Sequence, residues 1–85
     1  MTDEQFGRKM AAKDLREIAA SDCLILDLEA PSSTMGKMIE YGFAVANHKL
    51  IYVVGTPPQG AIFLLLADGL FPDWGAMITH IRENH

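Results

Sequence analysis

The chain has 85 residues, 49% of them hydrophobic and 21% charged, with a formal net charge of −4. That length allows one small domain whose core is marginal unless a partner adds to it, and the balance of apolar and charged residues is that of a folded chain rather than a disordered one. The acidic balance argues against a nucleic-acid backbone as the main partner, and no apolar run reaches the ~18–20 residues that would span a bilayer, so no membrane partner is expected. Cys23 is the only cysteine, which leaves no disulfide framework and no metal-ligand pair. The polar start Thr2-Asp3-Glu4-Gln5 does not have the form of a signal peptide, and a reducing cytoplasm is the expected compartment.

Asp3 to Ala20 is predicted as a helix capped by Thr2 or Asp3, with acids in its first turn. Ala11, Leu15, Ile18 and Ala19 recur at helical spacing and predict its buried stripe, while Phe6 and Met10 fall roughly opposite. Two large apolar side chains away from the core imply a second surface to cover. Ser21-Asp22 is a turn. Cys23–Leu28 follows as a strand that is apolar at nearly every position, the pattern of a parallel strand buried on both faces. Pro31 lies in the stretch Glu29–Ser33 that stops it.

A second helix is predicted from Thr34 to Asn47, with Met35, Met38, Ile39, Gly42, Phe43 and Ala46 as its core stripe. Leu50–Val54 is the next buried strand, ended by Gly55-Thr56-Pro57-Pro58. Ala61–Leu66 reads as a short helix, with a strand as the alternative, and Leu70-Phe71 as a short edge strand. Asp73 caps a last helix with the stripe Trp74, Met77, Ile78 and Ile81. Helices alternating with strands in this order predict an α/β fold with a small parallel sheet.

Glu40 stands out in this scheme. On a helical wheel it lies roughly 130° from the centre of the second helix's apolar stripe, on the side of Gly36. It is six residues after Thr34, too far for a capping-box acid. Gly36 in a first helical turn is unfavourable by about 1 kcal/mol against alanine, which suggests close approach of another group. Asp14 falls beside the buried stripe of the first helix, at the edge of the core. For each acid a solvated surface position is the plain alternative, and for Asp14 an ion pair with Lys13 or Arg16. Ser32, Ser33 and Thr34 precede the second helix and can offer hydroxyls beside free backbone N–H groups, a suitable cradle for a phosphate or a sugar hydroxyl. Plain capping needs only one of them. His48, His80 and His85 share no metal-ligand spacing, and Tyr41 either packs or lines a pocket beside Glu40.

Taken together, Asp14-Leu15-x-x-Ile18-x-x-x-Asp22, then Gly36-x-x-x-Glu40-Tyr41-Gly42-x-Ala44-x-Ala46 and Lys49-Leu50-Ile51-Tyr52-Val53-Val54, resemble the nucleoside 2-deoxyribosyltransferase family. That superfamily includes the deoxynucleoside 5′-monophosphate N-glycosidases. The similarity continues through Ile62-Phe63 and Asp73-Trp74 and covers nearly the whole chain as one domain. Its most specific part is the pair of motifs that sets Asp14 and Glu40 26 residues apart.

The resemblance implies a flavodoxin- or Rossmann-like three-layer arrangement and a substrate that is a nucleoside or deoxynucleoside monophosphate. No cofactor and no metal are expected. Glu40 matches the nucleophile that attacks C1′ of the deoxyribose. Asp14 matches the aspartate that contacts the nucleobase and helps protonate it. Ser32, Ser33, Thr34, Gly36 and Tyr41 are the expected substrate-binding residues. Thr34 stands where transferases of this family often have an aspartate and the nucleotide hydrolases a serine, which favours nucleotides. Family members begin with a strand and a Gly-containing loop that roof the base pocket, whereas this sequence starts at the helix carrying Asp14. One edge of Cys23–Leu28 is therefore expected to be unpaired, and a homo-oligomer is expected, since enzymes of this family commonly complete their sites across subunits. A non-catalytic nucleotide-binding or oligomerisation module derived from the family is the alternative, as is a subunit whose missing strand comes from another chain.

Overall fold

The computed structural model describes residues 1–31 and 33–84. Ser32, one of the expected substrate-binding hydroxyls, and His85 lie outside the described residues. The order is α1 (Asp3–Ala20), β1 (Cys23–Asp27), α2 (Thr34–Ala46), β2 (Leu50–Val54), a 3₁₀ turn η1 (Ile62–Leu66), β3 (Gly69–Phe71) and α3 (Trp74–Asn84). The three strands form one parallel sheet in the order β1-β2-β3. The expected α/β architecture, with its small parallel sheet between helices, is the one observed.

β2 is the central strand and its alternation builds both sides of the core. Ile51 and Val53 point to one face, where they meet Leu26, Tyr41, Ala44, Leu64 and Ile18. Tyr52 and Val54 point to the other face and pack with Met77. α1 and α2 thus cover one side of the sheet and α3 the other, giving three layers. Leu50, Val54 and their neighbours are apolar at every position because both faces of β2 are covered.

β1 ends the sheet. The Leu28 N–H donates to the Val54 carbonyl and the Asp22 carbonyl accepts from the Leu50 N–H. The backbone groups of the even-numbered residues therefore face β2, and those of Cys23, Ile25 and Asp27 face the open edge. Ile25 is exposed, because its side chain stands on the Cys23 face, where α3 packs against β2 and β3. Among the described residues β1 has a strand on one side only.

Local signals set the helix starts. Thr2 and Gln5 close a capping box on α1, and the Ser33 hydroxyl accepts from the Gly36 N–H at 3.2 Å. Gly55 is required where β2 ends. Its φ is +111°, and a Cβ there would sit 2.9 Å from the Glu29 carboxylate and 3.2 Å from Leu28 Cβ. The Glu29 carboxylate in turn accepts from the Thr56 N–H at 3.0 Å, so the loops after β1 and β2 are tied together.

The core stripe expected for α2 needs correction. Met35 is 74% exposed and Ile39 57% exposed, while Tyr41 and Ala44 are the buried residues of the helix. Apolar residues occupy most of the circumference of α2, including Tyr41, Phe43, Ala44 and Val45, so periodicity identifies an apolar helix without choosing its inward face. The side that wins is the one on which Tyr41 can donate its hydroxyl to the Phe63 carbonyl. In α1 only Ile18 of the expected stripe is buried and Leu15 is half-buried, while Ala11 and Ala19 are exposed. In α3 Met77 is buried, but Trp74 and Ile78 are exposed. Among the described residues no helix is long and apolar enough to cross a membrane.

Two core groups give the fold an alkaline limit. Burial, reinforced by the negative charge of Asp68, pushes the Cys23 thiol above its ordinary value of 9.0 and the Tyr41 hydroxyl above 10.0. In each case the folded state holds its proton more tightly than the unfolded chain. The resulting stability is complete below the unfolded value and is lost as pH rises through the folded one. The urea midpoint is expected to fall from about pH 9 upwards, and Tyr41→Phe should shrink that fall. A midpoint that stays level to pH 11 would show that neither group is linked to folding.

Candidate functional site

Asp14 and Glu40 line one groove. It lies between α1 and α2, has a volume of about 150 Å³, and is walled by Ala11, Asp14, Leu15, Gly36, Ile39 and Glu40. Asp14 is exposed and Glu40 half-buried. The juxtaposition follows from helix geometry. Leu15 and Ile18 turn α1 towards α2, which sets Asp14 on the flank of the contact. Tyr41 and Ala44 turn α2 inwards, which swings Gly36 and Glu40 towards α1.

The charges around the groove are arranged in a particular way. On α1, Arg8 pairs with Glu4 at 2.7 Å and Lys13 with Glu17 at 3.7 Å, so Asp14 is not paired with Lys13 as the plain alternative supposes. Among the described residues no cation pairs with either groove carboxylate, and neither has a hydrogen bond to its side chain. Two carboxylates on one groove without a cation create a site that favours positive charge developing between them.

Gly36 forms part of the wall. A Cβ at this position would meet only Ser33, at 3.6 Å and beyond, which is ordinary contact. The close approach expected of Gly36 is not made by any group among the described residues. The residue instead leaves the groove open beside Glu40. Gly36→Ala is therefore expected to raise thermal stability, by up to about 1 kcal/mol from helix propensity, while its methyl group crowds the groove and slows any reaction there. A melting curve and a turnover assay on the same preparation separate the two effects, and unchanged turnover would count against the groove as the site.

The remaining expected residues sit elsewhere around α2. Thr34 lines a second, smaller cavity of about 120 Å³ with Leu28, Lys37, Met38, Thr56 and Leu64, at the C-terminal ends of β1 and β2. Ser33 is the exposed cap of α2. Tyr41 is only 4% exposed and faces away from Glu40, under a third and entirely different cavity that includes Phe63 and Leu66. The structure thus brings Asp14, Gly36 and Glu40 together, keeps Thr34 one turn away, and does not bring Tyr41 to the carboxylates.

Lys37 and Thr56 are not among the residues expected from sequence. The Lys37 ammonium donates to the Ala30 carbonyl at 2.6 Å and the Leu28 carbonyl at 3.4 Å, which holds the β1–α2 loop against the helix start. A sequence signal for it exists: a lysine near a helix N-terminus opposes the macrodipole and needs another partner. At the same C-terminal end of β1, Asp27 accepts from the Trp74 indole at 3.1 Å and from the Glu29 N–H at 2.9 Å, an arrangement that fastens α3 to the loop. Among the described residues no cluster of three or more His, Cys, Asp or Glu side chains is placed to hold a metal ion.

Comparison with known protein families, with curated proteins and with solved structures finds no match to this chain.

Proposed function

We propose that the chain cleaves an N-glycosidic bond of a nucleoside or deoxynucleoside monophosphate, by hydrolysis or by 2-deoxyribosyl transfer, as a member of the nucleoside 2-deoxyribosyltransferase-like family. The observation that carries this reading is the shared groove of Asp14 and Glu40, two acids from different helices with no cation between them. Such a bond breaks through an oxocarbenium-like state whose positive charge a flanking carboxylate stabilises or traps.

In the reaction, the Glu40 carboxylate attacks C1′ as the bond to the base nitrogen breaks. Asp14 hydrogen-bonds the base and helps pass a proton to it as it departs, so the base leaves neutral. Water, or the nitrogen of a second base, then attacks C1′ and displaces Glu40, while Asp14 takes up the proton released. Ser33, beside Gly36, and Thr34 at the start of α2 can hydrogen-bond sugar or phosphate oxygens, and Gly36 leaves room for the ring. The groove holds about 150 Å³, about half the lower bound of typical small-molecule pockets, so the substrate must extend beyond it. A homo-oligomer in the cytoplasm is the working form under this reading, with the unpaired, half-exposed β1 edge and the free thiol of Cys23 as its support.

The same small volume favours a second reading, a non-catalytic nucleotide-binding module that keeps the groove without closing it. Incubation of the folded protein with the deoxynucleosides and their 5′-monophosphates separates the two. Release of free base, followed by chromatography, is the expected result. Saturable binding with no base released from any of them would establish the module instead.

A further inference from the structure

η1 inverts the usual placement of apolar side chains. Leu64 is buried and the Phe63 carbonyl accepts from Tyr41, which pins the turn to α2. The other four side chains of η1, Ile62, Phe63, Leu65 and Leu66, are 62–72% exposed. With three residues per turn, Ile62 and Leu65 form one outward ridge and Phe63 and Leu66 another. Beside the second ridge lies an apolar cavity of about 460 Å³ between η1 and α2, floored by Tyr41 and walled by Met38, Gly42 and Val45.

A cavity of this volume is large enough for a small molecule, but such sites carry a few convergent polar groups that orient the ligand. Here the Tyr41 hydroxyl is already committed to the Phe63 carbonyl, and the remaining lining is apolar. The feature suits burial against protein. Its four exposed side chains present on the order of 500 Å² of apolar surface, in the ~300–600 Å² range of the largest patch on a soluble monomer, a patch that is often functional.

Size and shape point to the same need. The chain exposes 6073 Å² and has a radius of gyration of 13.9 Å. A compact monomer of 9.4 kDa would expose about 5,000 Å² and have a radius near 12 Å. The surplus of roughly 1,000 Å² is close to the ~800 Å² that each partner buries in a standard interface.

We infer that the η1–α2 patch is a two-fold interface between copies of this chain. The patch carries both halves of the contact, since the ridges stand beside a hollow that can receive the same ridges from a second copy. Charge favours the same occupant. From Pro57 to Ala67 there is no charged residue, so two acidic chains meet there without like charges in contact, and nothing in the segment selects a charged partner. The apolar residues of α1 are a poorer candidate: Phe6 and Met10 stand among Glu4, Arg8, Lys9 and Lys13, and the ion pair of Arg8 with Glu4 spans that surface. The interface uses no residue of the Asp14–Glu40 groove, so variants of the patch leave both carboxylates and their surroundings untouched.

Sedimentation equilibrium of the full chain tests it. The wild type is expected at twice the protomer mass. Phe63→Glu combined with Leu65→Glu should weaken association at least ~100-fold and yield single protomers. Both side chains point outwards, so helical circular dichroism and melting should persist, and Leu65→Lys alone provides a milder variant with the same direction. Phe6→Glu with Met10→Glu should leave the dimer intact. A wild type that sediments as one protomer, a dimer indifferent to the patch variants, or one lost only with the α1 pair would each overturn the assignment.

Discussion

Glu40→Gln is expected to lower base release by on the order of 10³-fold or more, the scale on which loss of a nucleophile is felt, equivalent to ~4 kcal/mol of barrier. The substitution keeps the volume of the side chain and removes only the charge that meets C1′. Glu40 is half-buried and makes no hydrogen bond or ion pair among the described residues, so nothing in the fold depends on its carboxylate. Stability should stay within about 0.5 kcal/mol of the wild type. Retained turnover by this variant would remove Glu40 from the reaction.

Asp14 provides the internal control. Its proposed task is to protonate the leaving base, so Asp14→Asn is expected to slow the reaction by roughly 10²–10⁴-fold. The penalty should shrink for a substrate whose base departs readily as an anion, because that base needs no proton. No such recovery is expected for Glu40→Gln, whose lost interaction lies at the sugar. If both variants respond alike to the leaving group, the two carboxylates do not divide the work in this way.

The parts of the fold set by short-range chemistry were legible in the sequence. Thr2 with Gln5, the apolar runs of β1 and β2, and Asp73 before Trp74 each announce an element, and the observed bounds follow them closely. Asp14 and Glu40 could be singled out because each lies off an apolar stripe. Their meeting in one groove could not be derived from periodicity, because it depends on which way α2 faces. α2 is apolar around most of its circumference, and its orientation is decided by tertiary contacts: the Tyr41 hydroxyl on the Phe63 carbonyl, and Ala44 against β2. The same choice takes Tyr41 away from the carboxylates and leaves Met35 and Ile39 outside. For Lys37 the sequence signals only that a lysine near a helix N-terminus needs a partner; the partners themselves, the backbone carbonyls of Leu28 and Ala30, are set by the fold of the loop.

The groove is only as stable as the attachment of α1. Among the described residues Ile18 is the one buried side chain of that 18-residue helix, and its packing partners are in the core beneath α2. Leu15 adds a half-buried contact, and the Lys49 ammonium donates to the Ala19 carbonyl at 2.9 Å near the helix end. Ile18→Ala removes three carbons from the core at a cost of about 2–5 kcal/mol. Little else holds α1 down, so the cost is expected to appear as release of that helix rather than as collapse of the sheet. Hydrogen exchange should then show α1 amides losing protection while β2 and α2 keep theirs. Base release should fall with it, although Asp14 and Glu40 are both still present, because a released α1 carries Asp14 away from Glu40. Ile18→Val, at about 0.5–1.5 kcal/mol, should keep α1 docked and most of the activity. Full turnover in Ile18→Ala, with α1 demonstrably unprotected, would mean that Glu40 does not need Asp14 beside it.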